Sequence, residues 1–331
     1  MTDRNSKTLT LLLVLLIAAL FLLPWVAGRY PVYLVMQILI LAVFSVGFNL
    51  LLGYTGLLSF GQAGFFAVGA YGCAKILLAV PNLVLGIAGG VLFAGIAALL
   101  LGILSVRHTR IYFSMLTLAF GMTIYSIAWK WRDYTGGDDG LVGIPRAPLE
   151  MPGVFTFSVS PIERYYYVVL IVSLIAIALM HRLVHSPLGL TLQAIRDSET
   201  RAEFAGVPVR KYRLIAFTIA GLYAGLAGAL LPPLENTVTP PIAHWSTSAE
   251  PVLATLMGGV HTFAGPIVGS VLFFVIKDVI VRFTEYWLIV FGVIVVTMVM
   301  SFPEGVMSMF RRKWRTSRVP EVPAAQASKP G

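Results

Sequence analysis

The chain has 331 residues, of which 58% are apolar and only 12% are charged, and its mean hydropathy is +0.85. Soluble domains carry about a quarter charged residues, so this composition excludes an ordinary soluble protein and predicts an all-α, polytopic transmembrane helical bundle. The net charge of +9 does not indicate nucleic-acid binding, because the basic residues cluster between apolar runs and in the tail, as the positive-inside rule explains. The single cysteine, Cys73, excludes an internal disulfide and a multi-cysteine metal site.

Apolar runs near the twenty residues that cross a hydrocarbon core recur along the chain. The run at 249–259 is shorter and is predicted to be a half-helix or re-entrant segment. The first run follows a basic start, as a signal peptide would, but nothing after it resembles a soluble mature domain, so we expect a retained span. We predict about ten spans (eight to ten), at 8–27, 32–52, 57–79, 83–105, 111–131, 165–182, 213–232, 249–259, 265–282 and 286–303.

The basic residues test this count independently. With the N-terminus inside, ten crossings place the basic groups at 107–110, 182–213 and 311–315 inside and the mixed-charge loop 132–164 outside. Both termini are then cytoplasmic. We therefore predict one membrane domain over residues 1–312, with an outer loop at 132–164. A disordered cytoplasmic tail is predicted over 313–331, which is rich in proline, alanine and serine.

The run NLLLGYTGLLSFGQAG at 49–64 places polar side chains between two predicted spans. Asn49, Thr55, Ser59 and Gln62 are neutral hydrogen-bonding residues at membrane depth, and glycines interrupt the helix around them. Such groups suit a path for a polar solute without net charge. They equally suit interhelical hydrogen bonds that stabilise the bundle. The residues alone leave both interpretations open.

The basic loop 182–213 contains a predicted amphipathic helix. Ser186 and the proline after it predict its start, and Gly206 predicts its end. Apolar residues recur at helical spacing, and Asp197 lies four residues before Arg201, the favourable order for an ion pair. A short helix on a cytoplasmic loop between spans indicates a docking surface.

Sequence signatures of enzymes are mostly absent. The chain has no phosphate loop, no H-E-x-x-H and no G-x-S-x-G, so we expect no enzymatic activity, no ATPase site and no cofactor. His181 and His185 have the spacing of a helical metal pair, but a third ligand is missing, so no metal site is expected. No predicted span carries a central acid or a buried acid–base pair, which counts against coupling to an ion gradient.

Five segments, in the right order, resemble one known family, the M-type permeases of branched-chain amino acid ABC importers. The resemblance extends from about residue 30 to 312. This family includes relatives that move urea or short amides. The segments are NLLLGYTGLLSFGQAGFFAVGAY (49–71), IYFSMLTLAFG (111–121), TGGDDGLVGIP (135–145), SPLGLTLQAIRDSETRAEFAGVPVRKYRLIAFTIAGLYAGLAGAL (186–230) and SFPEGV (301–306).

The resemblance implies a non-enzymatic, pore-forming subunit of the bacterial inner membrane. Its partners would be a second, H-type permease, two cytoplasmic ATPases, a periplasmic substrate-binding protein and membrane lipid. The substrates would be branched-chain amino acids, with urea or short amides as the alternative. A coupling segment would transmit ATPase closure to the pore. Its contacts are expected from Arg196, Asp197, Arg201, Ala202, Glu203 and Gly206. Of these, Ala202, Glu203 and Gly206 match the family's A-E-x-x-G pattern.

The sequence departs from the family pattern in three places. Leu190 stands where arginine is common, Gln62 stands where histidine is common, and the stretch 231–241 is unusually proline-rich. Two other hypotheses follow from the residues. The chain could be a self-contained carrier or channel, driven by an ion gradient, or a scaffold subunit in which the polar run only holds the bundle together.

Overall fold

The computed structural model describes residues 15, 17–108, 110–151, 155–302 and 305–307, which fold mainly into helices. The predicted tail at 313–331 lies outside the described residues. In chain order the α-helices are α1 (Ile17–Val26), α2 (Arg29–Asn49), α3 (Gln62–Ala79), α4 (Leu83–Ser105), α5 (Arg110–Lys130), α6 (Arg132–Thr135), α7 (Ile162–Val184), α8 (Pro187–Asp197), α9 (Glu199–Phe204), α10 (Val209–Ala229), α11 (Pro232–Glu235), α12 (Trp245–Gly258), α13 (Gly265–Phe283) and α14 (Trp287–Ser301). A π-helix (Leu50–Thr55) follows α2, and 3-10 turns occupy Gly137–Asp139 and Pro240–Ala243.

Six described helical segments are long and apolar enough to cross a membrane. These are Arg29–Thr55, Gln62–Ala79, Leu83–Ser105, Ile111–Lys130, Ile162–Val184 and Val209–Glu235. The other four predicted spans correspond to shorter or more charged helices. In the described part, α1 and α14 are apolar but short, α12 has 14 residues, and α13 has 19 residues but carries Lys277, Asp278 and Arg282.

Two antiparallel strand pairs lie in the connections of this helical bundle. They are β1 (Leu141–Val142) with β4 (Thr237–Val238), and β2 (Leu149–Met151) with β3 (Phe155–Phe157). The structure thus adds short strands to the predicted all-α bundle, because backbone groups outside helices still need hydrogen-bond partners. The β1–β4 pair ties the predicted outer loop to the segment that follows α10. We call this side of the bundle the strand end and the opposite side, which carries α8 and α9, the α8–α9 end.

Helix α10 lies at the centre of the bundle and packs against α2, α3 and α4. Small residues permit this close approach, as expected for glycine-rich helices in membranes. A Cβ at Gly228 would overlap the backbone of Phe66 in α3, and a Cβ at Gly225 would overlap the side chain of Ala94 in α4. At the strand end, the buried Tyr165 of α7 donates its hydroxyl to the Leu230 carbonyl at 2.7 Å, which fixes α7 against the end of α10.

The short helix α12 and the longer helix α13 form a tight hairpin. At about 1.5 Å per residue, the 14 residues of α12 extend about 21 Å, less than a hydrocarbon core. This agrees with the prediction of a half-helix or re-entrant segment, although the helix begins at Trp245 rather than 249. Glycines make the hairpin close, since a Cβ at Gly258 would overlap the Gly265 carbonyl and a Cβ at Gly269 would overlap the Ala254 carbonyl.

The connection between α2 and α3 is an irregular segment inside the bundle. The π-helix continues α2 to Thr55, Gly56 turns the chain with a left-handed φ of 71°, and α3 begins only at Gln62. The predicted spans at 32–52 and 57–79 therefore have different bounds, 29–55 and 62–79. The helical hydrogen bonds continue past residue 52, the predicted end of the first of these spans. They stop where Gly56 adopts a positive φ, which glycine does at little cost.

Candidate functional site

The four polar residues predicted to line a path, Asn49, Thr55, Ser59 and Gln62, are all buried. The structure brings Ser59 and Gln62 together, since Gln62 Nε2 donates to Ser59 Oγ at 3.4 Å. Thr55 Oγ1 instead donates to the Leu51 carbonyl within its own helix at 2.6 Å. Asn49 lies one helical turn before Gly53, and a Cβ at Gly53 would overlap both Asn49 Oδ1 and the Val260 carbonyl.

Two of these side chains keep an acceptor oxygen free inside the bundle. Within the described part of the chain, Asn49 Oδ1 and Gln62 Oε1 are buried and have no hydrogen-bond partner. An unpaired buried polar atom costs free energy, and such atoms are expected to meet water, another chain or a ligand. Interhelical hydrogen bonding, the other role that the sequence left open for these residues, does not account for these two unpaired oxygens. They make the segment 49–62, which we call the polar segment, a candidate path for a polar solute.

Serine and threonine side chains of α5 and α12 also contact the polar segment and the residue that follows it. Ser114 Oγ donates to the Leu58 carbonyl at 2.6 Å, and the Phe60 amide donates to Thr117 Oγ1 at 3.3 Å. Ser248 Oγ of α12 accepts from the Ala63 amide at 2.8 Å. These hydroxyls supply partners for backbone groups that no regular helix satisfies. Sequence reasoning missed them, although serine and threonine inside apolar runs were a visible signal.

The predicted amphipathic helix of the 182–213 loop is two helices, α8 and α9. The chain bends at Ser198, whose backbone is extended and whose Oγ accepts from the Arg201 amide at 3.3 Å as the cap of α9. As predicted, Ser186 is the N-cap residue of α8 and the proline after it begins that helix, although Ser186 Oγ donates to the Leu183 carbonyl at 2.7 Å instead of accepting from the first turn. The predicted Asp197–Arg201 pair is replaced, because the bend breaks the four-residue spacing, and Asp197 pairs with Arg196 at 2.9 Å.

The outward surface of α9 combines exposed apolar and charged side chains. Phe204 is 88% exposed, and Arg201 and Glu203 beside it are also exposed, whereas Ala202 is buried against the bundle. Gly206 ends the helix with a φ of 81°, as the sequence predicted, and a Cβ there would meet nothing within 4 Å. The exposed Phe204, between charged side chains on a short capped helix, makes this surface of α9 a candidate contact surface.

A buried ion pair holds α9 against α10, and sequence reasoning did not find it. Arg213 of α10 donates through both terminal nitrogens to the two carboxylate oxygens of Glu199, at 2.7 and 2.8 Å. The Arg213 side chain is 6% exposed and that of Glu199 is 39% exposed. Two parallel hydrogen bonds fix orientation as well as distance, so the pair connects α9 to α10 in a defined orientation.

A family model described as "Branched-chain amino acid transport system / permease component" matches residues 30–299. The chain belongs to this permease family. It is therefore a multi-pass membrane component of an ABC transport system for branched-chain amino acids.

Two relatives that align with more than nine-tenths of this chain have names that agree with the family description. The permease is 28% identical to the high-affinity branched-chain amino acid transport system permease protein LivM of Escherichia coli (strain K12), over 93% of this chain and 77% of that relative. It is 29% identical to LivM of Salmonella typhimurium, over 92% and 76%. An L-arabinose ABC transporter permease protein, AraH of Azospirillum brasilense, is 26% identical over 62% and 59%. No solved structure matches the permease.

The six residues expected to couple the permease to an ATPase differ in placement. Asp197, Arg201, Glu203 and Gly206 are exposed at the α8–α9 end, and Ala202 is buried beneath them. Arg196 points inward, where Nη1 donates to the Gly53 carbonyl of the π-helix. A cavity of about 480 Å³ lies between Thr55–Leu57 and the segment Ile195–Thr200, and Glu203 and Arg213 complete its lining. The polar segment and the α8–α9 surface are therefore neighbours.

The two predicted candidate metal ligands, His181 and His185, lie next to each other at the end of α7. The rings of His181 and His185 lie 4.2 Å apart, and His185 Nδ1 is 2.7 Å from the His181 carbonyl. No group of three or more histidine, cysteine, aspartate or glutamate residues in the described chain could hold a metal ion. The ring of His181 also meets the ring of Phe263 edge-on, with 5.0 Å between the ring centres.

Proposed function

We propose that this permease is a pore-forming subunit that moves branched-chain amino acids inward across a bacterial inner membrane. It has no ATPase site of its own and is driven by two cytoplasmic ATPases, one of which docks on α9. A second, H-type permease forms the other half of the pore, and a periplasmic binding protein delivers the substrate. The observation that carries the proposal is α9, which presents an exposed Phe204 outward and is fixed to α10 by the Arg213–Glu199 pair.

The α8–α9 surface supports ATPase docking because it combines a contact residue with a rigid connection. A buried bidentate pair transmits displacement better than a flexible loop. Arg201 and Glu203 flank Phe204 with charges of both signs, as expected at the rim of a protein interface. Asp197 and Gly206 bound the same surface. The ATPase docked on α9 would displace this helix, and α10 would move with it because the Arg213–Glu199 pair connects the two helices.

The polar segment supports the substrate path. Asn49, Thr55, Ser59 and Gln62 are neutral, and two of their acceptor oxygens lack partners among the described residues. Neutral hydrogen-bonding groups at membrane depth suit a polar solute without net charge.

Ten crossings with both termini cytoplasmic remain part of this proposal. Contacts at the strand end support the relative directions of three of these crossings. The start of α2 meets the start of α7 through Arg29 and Glu163, 4.0 Å apart, and Tyr30 of α2 donates to Asp278 near the end of α13. Helices α2 and α7 would therefore run inward and α13 outward. The basic α8–α9 end is then cytoplasmic, where it would also attract anionic lipid.

The test is purification of the tagged permease from its native membranes, followed by mass spectrometry and an ATPase assay. We expect a second permease and ATPase chains to copurify, and the ATPase chains to be lost from the variants Phe204→Ala and Glu203→Lys. Arg210→Ala is the matched control, because Arg210 is exposed at the same end but lies outside the α9 surface. A permease that purifies alone and catalyses gradient-driven, ATP-independent uptake would contradict the proposal and support a secondary carrier.

The path requires a separate test by cysteine labelling. Cys73 is buried and is first replaced by alanine, and cysteine is then introduced at Ser59 or Gln62. We expect isoleucine to slow labelling at both positions in the intact transporter. Ser105→Cys in α4 is the control, since Ser105 is buried outside the polar segment. Equal labelling with and without substrate would favour the scaffold hypothesis, and protection by urea or acetamide alone would change the proposed substrate.

A further inference from the structure

Arg196, in the last turn of α8, reaches into the bundle instead of outward. Its Nη1 donates to the Gly53 carbonyl in the π-helix, while Nε and Nη2 bond Asp197 Oδ1 at 3.1 and 2.9 Å. The Arg196 side chain is 28% exposed, against 61% for Asp197. Its stem also passes over Gly56, where a Cβ would lie 3.1 Å from Arg196 Cγ. One side chain therefore connects α8 to the π-helix.

The π-helix that Arg196 contacts is an unusual element. Single-turn π segments inside α-helices are rare and occur frequently at functional sites. Conversion of one π turn to an α turn removes one residue from the turn, which rotates the chain on one side by about 100° and shifts it by about 1.5 Å. Gly53 lies in the middle of Leu50–Thr55, so a bond to its carbonyl can favour one of the two forms.

The opposite side of Gly53 faces the candidate path. A Cβ at Gly53 would overlap Asn49 Oδ1 and the Val260 carbonyl, so the glycine lies against both groups. Asn49 Oδ1 has no hydrogen-bond partner among the described residues. A displacement of Gly53 would therefore change the surroundings of an oxygen that is free to bind solute.

There is space for such a displacement. The cavity of about 480 Å³ separates Thr55–Leu57 from Ser198–Thr200, and Arg196 forms part of its wall. Close packing normally prevents small relative movements of neighbouring elements. Here the cavity leaves the end of the π-helix room to move toward α8 and α9.

We infer that Arg196 is a positioning residue that transmits movement of α8 to the π-helix and so controls the surroundings of Asn49. It is not a contact for the ATPase, which is the role that family resemblance implied. The inference rests on the proposed function, because it requires an ATPase to move α8. Withdrawal of α8 removes the Arg196 bond, the π-helix changes its register, and Asn49 changes its access to the path.

The test compares uptake with ATP hydrolysis in vesicles that contain the complete transporter. In Arg196→Gln we expect ATP hydrolysis to continue and the substrate moved per ATP to fall about tenfold, because a hydrogen bond from a charged donor typically shifts an equilibrium by that factor. Arg196→Lys restores a charged donor and should recover part of the ratio. Arg210→Gln, an exposed arginine at the same end, should leave the ratio unchanged.

Two results would overturn the inference. One is an unchanged ratio in Arg196→Gln. The other is a parallel loss of uptake and hydrolysis without recovery in Arg196→Lys, which would place Arg196 at the ATPase contact. Wild-type vesicles without ATP-dependent uptake would instead contradict the proposed function itself.

A measurement on the unmodified transporter decides the matter if Arg196→Gln does not assemble. Hydrogen exchange of the Leu50–Thr55 amides is compared between the nucleotide-free and the vanadate-trapped transporter. We expect exchange in this segment to differ about tenfold or more between the two states, since a change of register exposes amides. Equal exchange in the two states would show that the π-helix does not respond to the ATPase, and would overturn the inference.

Discussion

The Arg213–Glu199 pair predicts that its two members are unequal in their effect on α9. Truncation of Glu199 to alanine leaves the guanidinium of Arg213, whose side chain is 6% exposed, buried without its partner. Breaking a buried pair this way costs about 3–5 kcal/mol. Glu199 is 39% exposed, so water can enter on its side, and we expect a cost below that range, about 2 kcal/mol. Replacement of Arg213 by methionine removes the buried charge and leaves a carboxylate that water can reach, so we expect less than about 1 kcal/mol.

Hydrogen exchange of the α9 amides in nanodiscs measures this difference, because local opening of α9 exposes them. A loss of about 2 kcal/mol accelerates exchange roughly thirtyfold, whereas Arg213→Met should change it less than about fivefold. Arg210→Met is the control for the second variant, because Arg210 is exposed one turn earlier in α10. Equal acceleration in Glu199→Ala and Arg213→Met would refute the reasoning from burial.

Two further predictions concern glycines. Gly269→Val should separate α12 from α13 and destabilise the permease by about 3 kcal/mol, because the valine side chain would overlap the Ala254 carbonyl. Thermal unfolding in detergent measures this loss of stability. The control is Gly292→Val, where a Cβ meets nothing within 4 Å, and an equally large loss in this variant would contradict the prediction. Gly206→Ala should cost about 1 kcal/mol through its positive φ alone, since the site has open space. We expect Gly206→Ala to accelerate hydrogen exchange of the amides at the end of α9, and Gly206→Asn to accelerate it less. Unchanged exchange in both variants would show that the left-handed turn carries no strain.

The sequence predicted the location of the polar segment but not its partners. Asn49 and Gln62 stand out because polar side chains are scarce in apolar runs. Their neighbours are distant in the chain: Ser114 contacts Leu58 across 56 residues and Ser248 contacts Ala63 across 185 residues. Helical periodicity carries no information about such contacts, which depend on how α5 and α12 pack.

The bend between α8 and α9 was missed for a different reason. Apolar spacing across 188–202 is compatible with one continuous helix, and Ser198 is as acceptable inside a helix as at its cap. What favours the cap is Arg213, fifteen residues later, which holds Glu199 in the first turn of α9. A tertiary ion pair thus decides a local choice that propensity leaves almost even.

The charges of α13 explain why composition does not count this helix, one of the four predicted spans that are missing from the six. Lys277 Nζ lies 5.6 Å from the centre of the Phe274 ring and 5.4 Å from that of Trp287, and Arg282 Nη2 bonds Asp278 Oδ2 at 2.8 Å. Aromatic faces and an opposite charge compensate cations near a helix end. A count of charged residues does not register this compensation. Helix α13 is therefore not counted as a span by composition, although the alternation of basic loops predicts a crossing there.

Gly53 explains why the candidate path and the docking surface must be considered together. Its carbonyl accepts from Arg196 of α8, and its Cα faces Asn49 Oδ1 and the Val260 carbonyl beyond α12. A side chain at this position would separate these groups, so only glycine lets three elements meet there. Force applied to α8 and a solute held near Asn49 would then act on the same turn of helix. Two sites that share one deformable turn can be coupled without a long chain of intermediates, because each biases the same local equilibrium.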